Sequence, residues 1–217
     1  MQHLILDTIY TGFGPKPHPH FYADFMPLPE LNLVNHFLIA MPSIQDPMFG
    51  GAVIYMCEHN EHGALGIVIN KPTDMNVETL FERINIAVDS SPENCPEIKK
   101  LVMFGGPVQE DRGFVLHVPM TNFSSTINIS DQISFTTSRD VLEAVGQGRG
   151  PKRLLVSVGY AGWSAGQLEN ELLNNGWLTV QADPIILFDL PIEQRLAAAI
   201  KLLGFDPLML SGQAGHA

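Results

Sequence analysis

Ala52-Val-Ile-Tyr-Met-Cys-Glu-His-Asn60 and Gly66-Ile-Val-Ile-Asn-Lys-Pro72 are two apolar, β-branched runs, and each ends in polar, chemically capable residues. The apolar stretches 52–58 and 64–70 are separated by a loop closing on Gly63, so they read as a hairpin with a longer turn. Upstream, His36-Phe-Leu-Ile-Ala-Met-Pro-Ser43 carries a short strand over 37–41. Downstream, Asp74 and Asn76 are caps for a helix from about Val77 to Arg83. Strands follow at 101–104 and 114–118, with another short one inside 128–136.

The second half adds helices. Thr137-x-x-Asp140 and Ser164-x-x-Gln167 read as capping boxes, the first helix ending near Gly146 and the second near Gly176. Leu154–Val158 is an apolar strand ending near Gly159, and Ile185–Phe188 reads as a further strand. The last helix has Pro191 in its first turn, Ile192, Leu196, Ile200 and Leu203 on one face, and Gly204 at its end. Strands come first, in hairpin pairs, and helices come later, which is an α+β arrangement.

Residues 1–30 hold Pro15, Pro17, Pro19, Pro27 and Pro29 and few periodic apolar positions. Proline removes backbone donors and holds its predecessor extended, so this segment reads as an extended or poorly ordered arm. Residues 31–217 read as a single domain. No basic segment with an apolar core opens the chain, and no apolar run is long enough to span a bilayer. With two cysteines in no paired motif, the expectation is a cytoplasmic protein with reduced thiols. The net charge of -11 would repel nucleic acid phosphates, so direct DNA binding is disfavoured.

Several motifs point to chemistry. Gly162-Trp163-Ser164-Ala165-Gly166 matches the Gly-x-Ser-x-Gly nucleophile elbow, with Asp183, Asp189 and His216 following in hydrolase order. Against it, Tyr160 and Ala161 separate the motif from the strand, His216 is penultimate, and Ser164 already serves as a capping hydroxyl. Cys57-x-His59-x-x-His62 offers zinc-loving ligands, but a closed site needs four, and Cys57 reads equally as a small buried residue. Gly105-Gly106-Pro107 can form an anion-binding concavity or an ordinary turn. Gly146-Gln-Gly148-Arg-Gly150 follows a helix and opens none, so it is no dinucleotide fingerprint. No metal or cofactor is expected. Trp163 and Trp177 flank a helix, where aromatic residues line a cleft or pack a core.

Twelve Lys and Arg in 217 residues make each cation informative. Lys71 follows Asn70 at a strand end, Arg112 closes the loop after Gly105-Gly106, and Arg139 opens a helix between Ser138 and Asp140. Converging, they would make a small anion pocket; separately, each would pair with a nearby carboxylate.

The chain resembles the YqgE/AlgH family over residues 31–217. The resemblance rests on His36–Pro42, Gln45-Asp-Pro47, Cys57-Glu-His-Asn60, Gly66 with Asn70-Lys-Pro72, Phe104-Gly-Gly-Pro107, Glu110-Asp-Arg-Gly-Phe114 and Thr136-Thr-Ser-Arg-Asp140. Gly159-Tyr-Ala161 with Trp163, Gly166-Gln-Leu-Glu169, Trp177-Leu-Thr179 and Ala214-Gly-His-Ala217 complete it. It implies an α+β fold whose mixed, bifurcated sheet curls into a pseudo-barrel with helices packed outside. It implies bacterial, cytoplasmic relatives of uncharacterised activity, some described as transcriptional regulators.

The leading expectation is a non-catalytic ligand-binding or regulatory protein with a polar, partly cationic pocket. Its lining would be Glu58, His59, Asn70, Lys71, Arg112, Ser138, Arg139 and Asp140. Lys71, Arg112 and Arg139 would hold a small anionic ligand, and Glu58 with His59 would bound the other side. The alternatives are a hydrolase using Ser164 and a protein-interaction scaffold acting in transcriptional regulation. The scaffold predicts an exposed apolar patch of more than a few hundred Å².

Overall fold

Strands β1 (His36–Ala40), β2 (Val53–Asn60) and β3 (Gly63–Val68) run antiparallel, with Phe37 opposite Tyr55 and Ile54 opposite Val68. The hairpin read from the sequence is therefore present. The computed structural model describes residues 31–88, 95–119 and 123–204. The arm over 1–30, most of the 89–96 loop and the tail carrying His216 lie outside the described residues.

Strand β4 (Pro72–Asn76) leads into α1 (Val77–Arg83), whose Asn76 side chain accepts from the Thr79 N–H, the capping expected of it. A single 3₁₀ turn, Pro96–Lys99, precedes β5 (Leu101–Phe104) and the long β6 (Val108–His117). β7 (Thr126–Asn128) is followed by β8 (Ser134–Thr136), the short strand expected within 128–136. Then come α2 (Asp140–Gly146), β9 (Leu154–Ser164), α3 (Gln167–Leu173) and β10 (Trp177–Gln181). Two helices finish the described chain, α4 (Pro184–Phe188) and α5 (Ile192–Leu202).

Three expectations are corrected. Ile185–Phe188 is helical, because Asp183 accepts from the Ile185 N–H and Pro184 suits the first turn. Thr137 does not cap α2; the Asp140 carboxylate instead accepts from Ser138 and from Ser124. The strand thought to end near Gly159 continues to Ser164.

That longer strand organises the fold. The first half of β9 pairs antiparallel with β6 and parallel with β5; its second half pairs antiparallel with β3. The strand order is β10-β1-β2-β3-β9-β6-β8-β7, with β5 and then β4 branching from β9. The result is a mixed, bifurcated sheet curled into a half-barrel, an α+β fold. Gly159 sits at the branch with φ of 69°. A Cβ there would overlap the Gly106 carbonyl oxygen, so the crossing backbones require glycine.

One apolar cluster fills the face shared by both halves of the sheet. It includes Phe37, Tyr55, Ile67, Phe114 and Leu155, and α4 and α5 add Leu187 and Ile200. The opposite faces are covered separately, by α1 and α2 over Val115 and Val156, and by α3 over Ile54 and Met56. At roughly 1.5–3 kcal/mol per buried large apolar side chain, these faces supply most of the driving force for folding.

Candidate functional site

Two breaks in strand alternation shape the tip where β2, β3 and β9 meet. The first is a bulge at Cys57: Met56 pairs with Gly66, Glu58 pairs with Leu65, and Cys57 is the extra residue. Cys57 packs in the shared core, its thiol donating to the Tyr55 carbonyl, and burial pushes its pKa well up. After the bulge, Glu58 and Asn60 turn to the shared face and His59 turns to the opposite one. The second break is at Gly159. Leu155 and Tyr160 both pack on the shared core, whereas Ala161 and Trp163 pack on the α3 side. Strict alternation would have placed them the other way round.

Together these breaks open a cavity of about 370 Å³ at the end of the shared core. Glu58, Asn60 and His62 line it from the hairpin, Tyr160, Gly162 and Ser164 from β9, and Val108 from β6. Asn60 donates to the Glu58 carboxylate (2.7 Å) and accepts from the His62 N–H (2.8 Å). Glu58 thus stands pre-oriented, and the lining contains neither Lys nor Arg. The cavity is suited to a ligand that donates hydrogen bonds or carries positive charge.

The remaining expected site residues lie elsewhere. His59 is buried on the α3 side, its Nδ1 accepting from the Leu33 N–H (3.1 Å), which assigns the proton to Nε2, bonded to Glu169 (2.9 Å). Asn70 bridges the Val53 N–H and the Gly51 carbonyl, bonds that tie the 41–52 loop to the hairpin. Lys71 donates to the Pro47 carbonyl. Arg112 reaches Gln109 at 3.4 Å. Arg139 pairs with Glu143 (2.9 Å) and donates to the Asn85 carbonyl. Ser138 and Asp140 bond each other. Each cation has its own local partner, and none lines the cavity beside Glu58.

The other motifs resolve in the same way. Among the described residues, no group of three or more His, Cys, Asp or Glu is placed to hold a metal, and the bulge separates Cys57 from His59. The backbone of Gly105 bonds Val158 and Val68, so that turn joins strands. Ser164 ends β9 and does not cap α3, whose N-cap is Gly166 with no side-chain bond; only its N–H donates, to the Gln167 side chain (3.1 Å), which corrects the capping role expected of its hydroxyl. Asp183 caps α4 and Asp189 pairs with Arg153, so neither serves Ser164.

Among the buried polar residues that escaped the sequence reading, Arg195 and His117 are the two basic ones. Arg195 of α5 is 7% exposed and donates to the Ile69 and Leu190 carbonyls; burial lowers its pKa to about 10. His117 bonds Thr136 and the Val118 carbonyl, and burial lowers its pKa. Tyr160 had one usable signal, the glycine before it inside a strand, which marks a bulge.

Residues 37–208 match the AlgH-like family model. The chain belongs to the AlgH-like family. The AlgH-like chain is 56% identical over 187 residues to a UPF0301 protein of Ralstonia nicotianae, covering 86% of this chain and 96% of that one. It is 56% identical over 188 residues to a UPF0301 protein of Thiobacillus denitrificans, covering 87% and 99%. The solution structure of the AlgH protein from Pseudomonas aeruginosa superposes with a TM-score of 0.70 at 49% identity, covering 87% of this chain and 97% of that one. A crystal structure from Corynebacterium diphtheriae shares the fold, with a TM-score of 0.61 at 17% identity, over 79% and 87% of the two chains.

Proposed function

We propose that this protein is a cytoplasmic, non-catalytic binding or regulatory protein whose ligand occupies the cavity lined by Glu58, Asn60, His62, Tyr160 and Ser164. The observation that supports this most directly is the bulge at Cys57, which brings Glu58 out of the sheet's alternation and into the cavity. Bulges beside binding sites commonly re-aim a side chain in this way. With Glu58 as the charged group fixed in the lining, a small amine-bearing or hydrogen-bond-donating molecule fits better than the anion expected from sequence. Both cysteines are free and buried, which accords with a reducing compartment.

A thermal-shift screen that sets amine-bearing metabolites against phosphorylated ones tests the reading. A ligand at a hundredfold excess over its Kd stabilises by about 2.7 kcal/mol. Stabilisation by an amine, lost in Glu58→Gln, supports the proposal. Stabilisation by phosphorylated compounds, lost in Arg112→Ala or Arg139→Ala, would restore the anion pocket. The hydrolase alternative keeps one favourable observation, since His62 and Ser164 line the same cavity. Labelling of Ser164 by a fluorophosphonate probe would revive it. For the scaffold alternative, the exposed large apolar residues, such as Met48, Leu101, Ile127, Leu173 and Ile185, lie on separate elements.

A further inference from the structure

On the α3 side of the same tip lies a second cavity of about 350 Å³. Its walls include three aromatic rings: Phe49, Trp163 and Trp177. Trp177 stands nearly perpendicular to both neighbours, at 82° to Trp163 with centroids 6.1 Å apart and at 81° to Phe49 with centroids 6.0 Å apart. Glu171 anchors the arrangement. One of its carboxylate oxygens accepts from both indole N–H groups (2.9 and 2.7 Å), and the other accepts from Gln167 (3.0 Å). Asp46 also lines the cavity and accepts from the Met48 and Phe49 N–H groups, fixing the loop that carries the Phe49 ring. No Lys, Arg or His is among the lining residues.

We infer that this cavity, framed by Phe49, Trp163, Trp177 and Glu171, is a binding site for a methylated ammonium group. The three rings border one small cavity, and ring faces attract cations through their quadrupole. The two carboxylates add negative potential with no cation in the lining to cancel it, and the chain's net charge of -11 favours approach of a cation. A methylated ammonium suits this lining, because the rings offer no hydrogen-bond acceptor and the Glu171 oxygens already accept from three donors. A quaternary ammonium donates nothing and lays its methyl groups on the rings. This site is distinct from the cavity at Glu58, so the inference does not rest on the function proposed above.

The chain's two tryptophans are both in this site, so intrinsic fluorescence reads it without a label. The full-length protein is titrated with choline chloride at constant ionic strength, and in parallel with its neutral carbon isostere, dimethylbutanol. The expected result is a saturable fluorescence change with choline and binding of the alcohol weaker by about tenfold. Phe49→Ala removes one wall while keeping both indoles; with its circular dichroism unchanged, it should weaken choline binding severalfold. Trp163 also borders the first cavity, so Glu58→Gln is the control and should leave choline affinity unchanged. The inference is overturned by no saturable response to choline, by equal affinity for the alcohol, or by loss of binding in Glu58→Gln but not in Phe49→Ala.

Discussion

Glu58 and His59 are adjacent in sequence and finish opposite faces of the same sheet tip. On the α3 face polar side chains tie strands to the helix: His59 to Glu169, and both indoles to Glu171. On the shared-core face, Glu58 is bonded to Asn60, two residues away on its own strand. One face is braced by side-chain bonds from strands to a helix, and the other is left with polar groups held within the hairpin around a cavity. Rigid support on one side and open chemistry on the other is an arrangement suited to presenting a site.

The strongest way to break this contrast is at the branch itself. Gly159→Val puts a β-branched residue at positive φ and into the Gly106 carbonyl. It should cost about 3 kcal/mol or more and collapse both faces together, read by urea denaturation. The next test sets the faces against each other. His59→Ala leaves the buried Leu33 N–H without its acceptor and should cost about 2 kcal/mol, whereas Glu58→Ala should stay within about 0.5 kcal/mol. Equal costs in thermal melts would erase the distinction.

Acid sharpens the contrast further. Burial raises the pKa of Asp140, but the hydrogen bonds from Ser138 and Ser124 outweigh it and hold the carboxyl below its usual value. A carboxyl whose folded pKa is depressed stabilises the fold above its unfolded pKa and loses that contribution as pH falls through the folded one. Stability should therefore fall on acidification below the usual aspartate range, about pH 4. Ser138→Ala should make that loss smaller, as measured by denaturation at a series of pH values. Glu169, lowered by a backbone hydrogen bond within its own residue and by His59, acts in the same direction. The smallest effects belong to the cations. Lys71→Ala, Arg112→Ala and Arg139→Ala should each change stability by less than about 0.5 kcal/mol, since the one or two bonds each makes are exposed to solvent.

The elements that were legible are those whose signal is local. The β2–β3 hairpin, α1 with its Asn76 cap, and α5 opened by Pro191 follow from apolar periodicity and backbone chemistry within a few residues. The α4 segment misled because four apolar residues in a row carry no period, and the capping by Asp183 and Pro184 outweighed the strand reading. The candidate site was legible only in pieces. Glu58 and Ser164 each drew notice, but their shared cavity depends on the bulge at Cys57 and the turn of β9 at Gly159, which reverse the alternation on which face assignment relies.

Composition and motif order thus determined the α+β class and the family, because strand and helix patterning and motif residues act over short stretches of the chain. Tertiary structure alone decided that Glu58 and His59 part company, that no cation lines the cavity beside Glu58, and that two tryptophans fourteen positions apart share one carboxylate. A single extra residue in a strand moves every later side chain to the other face. Whether the strand bulges there is settled by its partners in the sheet, not by its own residues.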